Sequence, residues 1–233
     1  GVPFSFVYGG RHSSEFLHEW ERTSTDEASE DNSRRRTVTF TDPRTGLEVR
    51  AEAAIYLDTA GVDWTLHFTN TGTEDTPIIE QVSAVDVTVA PGVGPLPELH
   101  QSRGSCEVAE DWHPYTEILP PGKCFDFGAQ NGRTSAGVSP FFDVQWPNGG
   151  VITAMGWSGQ WRGTVERVDA GAVRLHAGME FMHLRLHPGE TIRSPRVLQL
   201  YWFGDDRWRA YSLFRRTMLS HIVPTTNGKT AHP

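Results

Sequence analysis

Cysteine is scarce. The 233 residues hold two, Cys106 and Cys124, and neither belongs to a CxxC pair. A zinc site therefore has little support. The two either close a loop by a disulfide, worth about 3 kcal/mol in the chain-entropy picture, or remain unpaired thiols. No apolar run approaches the roughly 20 residues of a membrane span, so no transmembrane helix and no membrane partner are expected. Positive charge is in deficit, with Lys+Arg 21 against Asp+Glu 29 and a net charge of −8. That argues against nucleic acid as a main partner. A basic-then-apolar amino terminus is missing too, so no signal peptide is expected. The start at Gly1-Val2-Pro3 without Met is expected of a fragment from which a leader or further domain could have been removed. HExxH, Walker and dinucleotide motifs are all absent, and no metal or cofactor is expected. Gly156-Trp157-Ser158-Gly159 resembles a nucleophile elbow, but its second Gly falls one place early and no helix follows.

Aromatic residues, by contrast, are plentiful, with eight Trp and twelve Phe. The stretch Phe141–Trp161 organises the rest. Phe142, Val144 and Trp146 alternate with Phe141, Asp143 and Gln145, the period of a two-faced strand. Asn148-Gly149 predicts a type I′ hairpin turn, with a return strand from Val151 to about Trp157. Phe142, Trp146, Trp157 and Trp161 each offer about 150–250 Å² of surface. They either anchor a sandwich core or present a sugar-stacking platform.

Before this hairpin, Phe4–Tyr8 reads as a first strand, and His12–Trp20 as a short helix or extended segment. The acidic part of Glu19–Arg36 reads as a surface loop, with Arg34-Arg35-Arg36 opening the next strand. Strands follow at Thr37–Thr41, Leu47–Leu57, Val62–Thr69 and Ile78–Val89, divided by tight turns such as Asp42–Gly46. Such short spacings favour antiparallel pairing. The stretch Ala90–Ser139 is broken repeatedly by proline and reads as one long irregular loop, the first place to look for ligand contact. It holds Trp112, His113 and Tyr115, and then Asn131 and Arg133. After the hairpin come strands at Thr164–Val168, Val173–Gly178, Phe181–Leu186 and Val197–Phe203, with turns at Asp169–Gly171 and His187–Glu190. One helix is expected over residues 205–222, its apolar face made by Trp208, Tyr211, Phe214, Met218 and Ile222. Asp205 or Asp206 can cap its first turn, Pro224 stops it, and residues 225–233 form a polar tail. The length suits one large all-β domain or two small ones.

Catalytic patterns are thin. His183 and His187 on one strand face would stand roughly 13 Å apart, too far to share a metal, and His183 is expected to pair with Arg185. The acidic residues are scattered, and no glycosidase-type pair stands out. His176 and Glu180 are the nearest match to an epimerase pair. On its residues the chain reads as a binding or scaffolding β-domain.

The segments PFSFVYGG, TDPRTGLEVRAEAAIYLD, VDWTLHFTNTGTEDTPIIE, GGVITAMGWSGQW, HAGMEFMHLRLHPGETIRSP and LQLYWFGDDRWRAYSLFRRTMLSHIVP come in an order that resembles the amino-terminal β-domain of glycoside hydrolase family 36, the melibiase or α-galactosidase-like group. The resemblance spans Pro3–Pro224. It implies an all-β fold, a large antiparallel two-sheet β-supersandwich of the galactose-mutarotase type, closed by one C-terminal helix. Residues 1–224 would be the sandwich, and 225–233 the link to a (β/α)₈ barrel. In the family that barrel carries two catalytic aspartates acting by retention; the sequence given stops at Pro233, so neither can be assigned here. The family's sandwich often lends a loop to the active-site mouth of its own or a neighbouring subunit. Trp112, His113, Tyr115, Asn131 and Arg133 fit that role by position. The partners so implied are the barrel, a carbohydrate and a second subunit. The compartment stays open between bacterial cytoplasm and periplasm or secretion. A stand-alone carbohydrate-binding module and an aldose-epimerase-like enzyme are the alternatives.

Overall fold

A computed structural model describes residues 1–29, 32–90, 94–169, 171–226 and 229–230. They form two large sheets and one two-stranded ribbon, and every strand pair among them is antiparallel. The larger sheet has ten strands. From edge to edge it runs Glu21–Ala28, Ser33–Thr41, Leu47–Tyr56, Gly61–Asn70, Arg196–Phe203, Gly149–Gly156, Phe141–Trp146, Glu98–Ser102 and Pro114–Ile118, with Thr191–Arg193 also paired to Gly61–Asn70. The smaller has seven: Cys124–Gly128, Arg162–Arg167, Val173–Gly178, Ile79–Val89, Ser5–Tyr8 and Arg11–His12, with His183–Leu184 also paired to Ile79–Val89. This is the expected all-β, two-sheet class.

The core lies between the sheets, where Phe6, Leu66, Phe68, Val151, Trp161, Val165 and Leu175 are fully enclosed. Alternation explains the choice. On Val173–Gly178, Val173, Leu175 and Ala177 turn inward and Arg174 and His176 outward. Trp64 joins the layers by donating from Nε1 to the Ala84 carbonyl at 2.7 Å. The central strands Gly149–Gly156 and Arg196–Phe203 are buried almost throughout. Their second face is covered by the α-helix Arg207–Thr217, the one α-helix among the described residues. Beneath it Ile152, Leu200, Trp202 and Ala210 pack with Tyr211, Leu213 and Phe214. Ala54, Tyr56, Ala154 and Leu198 pack with Phe214, Met218 and Ile222. Phe142 and Trp161 are core residues, and Trp146 and Trp157 pack partly buried against the same core. The hairpin is thus a core element and not a sugar platform.

Several expectations are corrected. Trp146 pairs with Gly149, so Pro147 and Asn148 occupy the centre of the turn. Proline fixes φ near −65°, and Asn148 has φ of +64°. That is the type II pattern, and type I′ is ruled out by the proline. The acidic segment expected as a loop is an edge strand, Glu21–Ala28, exposed on both faces. With no buried face it shows no apolar alternation to read; Glu30 and Asp31 lie outside the described residues. The stretch 90–139 contains three short strands, Glu98–Ser102, Pro114–Ile118 and Cys124–Gly128. Five residues set between prolines are too few for a periodic signal. Pro91 of that stretch, Ala170 of the expected turn, and residues 227, 228 and 231–233 of the expected tail also lie outside the described residues. Within the tail, Thr225–Thr226 pairs with Lys229–Thr230. His12–Trp20 forms two 3₁₀ turns. Of Phe181–Leu186 only His183–Leu184 is strand, and the His183 ring meets Glu80 at 2.7 Å instead of Arg185.

The helix is capped by Asp206, whose side chain accepts from the Trp208 and Arg209 amides at 3.0 and 3.2 Å, as the sequence suggests. It ends in a π turn at Met218–Ile222. Trp208 does not belong to the buried stripe: it is exposed, and Leu213 packs where the stripe lacked a member.

Candidate functional site

Four of the five residues singled out by position sit on two loops that the fold ties together, and Tyr115 lies on the adjoining strand Pro114–Ile118. The first, 103–113, joins the strand Glu98–Ser102 to the edge strand Pro114–Ile118. It folds around Asp111, whose carboxylate accepts from Ser105 Oγ at 2.9 Å and from the Cys106 and Glu107 amides at 2.9 and 3.0 Å. Those bonds, the Cys106 amide first, hold its pKa below the usual carboxylate range. The second loop, 129–137, is pinned from beneath. Trp161 Nε1 donates to the Thr134 carbonyl at 2.8 Å, and the Gly132 amide donates to Gln160 Oε1 at 3.1 Å. The Ser105 amide donates to the Ser135 carbonyl at 2.9 Å, and Arg103 bridges to Val138. Gly104 makes the join possible: a Cβ there would lie 1.7 Å from the Ser135 carbonyl oxygen.

Trp112, His113, Asn131 and Arg133 are exposed on these loops. Tyr115 is not free for a ligand in the same way, because it is half-buried and its hydroxyl donates to Gln101 Oε1 at 3.0 Å. None of the five lines a cleft described below. Cys106 and Cys124 are exposed and free, so the disulfide that the spacing allowed is not formed. Trp112 stands out by its backbone. It is 54% exposed and holds φ at +62°, a region that costs a non-glycine residue about 1–3 kcal/mol. The strain keeps a large ring in water at the loop tip. Trp112→Gly is accordingly expected to be neutral in stability or stabilising by up to about 1 kcal/mol, although it removes the largest side chain of the loop; a urea midpoint well below the parent's would contradict this.

Two polar clusters escaped the sequence reading, and a third holds a pair that it named. The first lies under the helix. Asp143 is 2% exposed; its Oδ1 accepts from Trp202 Nε1 at 3.1 Å, and its Oδ2 has no hydrogen-bond partner. Burial pushes its carboxyl up to about 7, against the pull of Trp202, Arg207 and Tyr211. Arg207 Nη1 meets the ring nitrogens of His100 at 2.7 and 2.8 Å, and burial together with that guanidinium lowers the His100 pKa. The second is a polar groove of about 390 Å³ over Glu52, Tyr56, Asp63, Arg196 and His221. Asp63 is held there by the Tyr56 hydroxyl and by Arg196 Nη2, and burial raises the Tyr56 pKa. The third contains His176 and Glu180, which line one cleft on the seven-stranded sheet. For the first two, a single Asp or His breaking an apolar alternation was the only signal.

Glu52 is engaged by Arg50 and His67, Asp58 by His221, Asp63 by Arg196, and Glu180 by Arg162 and Gln160. Asp143, the carboxyl shifted furthest toward neutrality, is enclosed. Such groups do not make the opposed acid and base that glycoside cleavage uses. Among the described residues no three His, Cys, Asp or Glu gather to hold a metal, and no helix is long and apolar enough to cross a membrane.

The model of the glycosyl hydrolase family 36 N-terminal domain matches residues 12–187. No curated protein matches the sequence. Among solved structures, an α-galactosidase from Lactobacillus brevis is similar over 96% of this chain and 32% of its own, at 16% identity and a TM-score of 0.74. The GH36 α-galactosidase AgaA from Geobacillus stearothermophilus is similar over 87% and 30%, at 15% identity and a TM-score of 0.65. A candidate aldose 1-epimerase from Klebsiella pneumoniae follows at 9% identity and a TM-score of 0.55, over 82% of this chain and 56% of its own. At these identities the likeness is one of fold. The chain spans about a third of the length of the α-galactosidases.

Proposed function

Because the chain belongs to the glycosyl hydrolase family 36 N-terminal domains, we propose that it is the non-catalytic amino-terminal module of an α-galactosidase-like enzyme. In this reading residues 1–224 are one sandwich closed by the helix, and residues 225–233 lead toward a (β/α)₈ barrel that supplies both catalytic carboxylates. The observation that carries the reading is the family match over residues 12–187, joined to a sandwich whose lining carboxylates are held by neighbours.

The module's contribution is to scaffold the barrel and shape access to it. Trp112, His113, Asn131 and Arg133 face the mouth of the active site, in the same subunit or in a second copy of the enzyme, with Trp112 offering its ring to a sugar. Tyr115 supports them through Gln101. The strained, exposed Trp112 and the pinned loop beneath Asn131 support this assignment.

The size of the native protein tests the proposal. Denaturing mass spectrometry on the protein from its source is expected to give about three times the 26.0 kDa of this stretch, the ratio set by the α-galactosidase chains it resembles. A native product of 26 kDa would overturn it.

A further inference from the structure

We propose that the cleft on the outer face of the seven-stranded sheet is a second binding site, for a neutral pyranose, with Phe181 as its stacking wall and the Arg162–Glu180–Gln160 network as its hydroxyl-binding rim. The cleft holds about 390 Å³, within the range of small-ligand pockets.

Its shape comes from a break in the sheet. The strand Ile79–Val89 shifts register against both neighbours, between the partners of Val7 and Ser5 on one side and of Ala177 and Gly178 on the other. Gln81, within the break, holds φ at +50°. Gly178 lets the backbones close up there, since a Cβ would lie 2.0 Å from the Val82 carbonyl oxygen. A bulge of this kind re-aims side chains and recurs beside binding sites.

The floor and rim are polar and fixed. Ser83 Oγ and His176 Nε2 are 2.6 Å apart on the floor, and burial keeps the imidazole below its usual pKa, hence neutral at pH 7. On the rim, Arg162 binds Asp126 at 2.7 and 2.5 Å and Glu180 at 3.1 Å. Gln160 Nε2 donates to Glu180 at 2.5 Å while its Oε1 accepts from Gly132, which joins the rim to the loop of Asn131. Two carboxylates on one guanidinium leave the rim with a net negative charge, so an anionic ligand is disfavoured and a neutral polyol is not. Beside them the Phe181 ring is 76% exposed. An aromatic face beside oriented planar polar groups is what an amphipathic pyranose ring fits.

The Ser83–His176 pair does not make this a hydrolytic site. Ser83 is buried, and Asp86, which faces His176 across the pairing, is bound by Arg174 at 2.8 and 2.9 Å. Among the described residues no third group is bound to the imidazole to orient it as a base. The inference does not depend on the proposed module function, because it concerns a cleft that Trp112 does not line.

Saturation-transfer NMR and calorimetry on the 233-residue chain, with galactose, glucose and galacturonate at millimolar concentration, test it. Saturable binding of a neutral sugar is expected, weakened about tenfold by Phe181→Ala, the loss of one good ring contact. Glu180→Gln should weaken it too, Trp208→Ala, at an exposed ring of the helix that does not line the cleft, should leave it unchanged, and galacturonate should bind less tightly than galactose. Because Phe181 is exposed, its variant keeps the parent's fold, checked by its thermal midpoint. Absence of saturable binding overturns the proposal. So does binding that survives Phe181→Ala but is lost in Trp112→Ala, which would place the sugar at the loop tips.

Discussion

Trp161→Ala is expected to lower stability by about 3–5 kcal/mol, the upper range for a truncated core aromatic. Trp161 is 0% exposed. It packs edge-on to Phe127 at 6.0 Å between ring centroids, and Phe127 packs edge-on to Phe142 of the opposite sheet at 5.2 Å. Truncation therefore opens a cavity that spans both layers. It also deletes the Nε1 bond to Thr134, leaving that carbonyl without its donor. The loss should be local as well as global. Amides of residues 130–136 should exchange with solvent faster than the fall in global stability requires, because their anchor is gone. Trp161→Phe keeps much of the volume and loses the hydrogen bond, so it should fall between the parent and the alanine variant. Urea unfolding gives the magnitudes; a Trp161→Ala loss below about 1 kcal/mol would mean that Trp161 is not a core residue.

The second large effect is a dependence on pH. Asp143 rises from 3.8 to about 7 on folding, driven by burial. A raised acid pKa means that the folded chain holds the proton more tightly than the unfolded one. Its contribution is therefore fully present below about pH 4 and is lost as pH rises through about 7. At 1.36 kcal/mol per pK unit the whole excursion is about 4 kcal/mol. Asp143→Asn stays neutral, and its Oδ1 still accepts from Trp202. The variant should gain on the parent between about pH 4 and pH 7 and level off above that. His100, Arg207 and Tyr211 face the same cluster and are common to both proteins, so the difference isolates the carboxyl. Urea midpoints for the pair at pH 5, 6.5 and 8 check this, and parallel curves would contradict it. The cluster ties the first turn of the helix to the sheet through Arg207. Alkaline destabilisation should therefore appear first in the helix.

How much of this was readable follows from where each signal is generated. Strands with one buried face announce themselves: Gly61–Asn70 and Val173–Gly178 were placed to within a residue, because inward and outward positions alternate. The helix was found from its period, its Asp206 cap and Pro224. Glu21–Ala28 was missed because an edge strand solvated on both faces carries no such pattern. The hairpin turn was mistyped because Asn148-Gly149 is a strong local signal, yet the pairing of Trp146 with Gly149 moves the turn back onto Pro147. Trp208 matched the helical stripe, but the stripe predicts only direction, and the ring stays 69% exposed. The site was less legible. Trp112, His113, Asn131 and Arg133 could be chosen by loop position, and the structure does bring their loops together. The clusters around Asp63, Asp143 and His176 arise from residues far apart in sequence, and no local spacing contains them.

The central claim is that this sandwich recognises and supports, while bond cleavage belongs to a barrel outside it. Release of nitrophenol from an aryl α-galactoside by the 233-residue chain alone is the most direct measurement. The account predicts the rate of buffer at every pH from 4 to 8. Turnover at an enzyme-like rate, lost on replacing Asp63, Asp143 or Glu180, would contradict it.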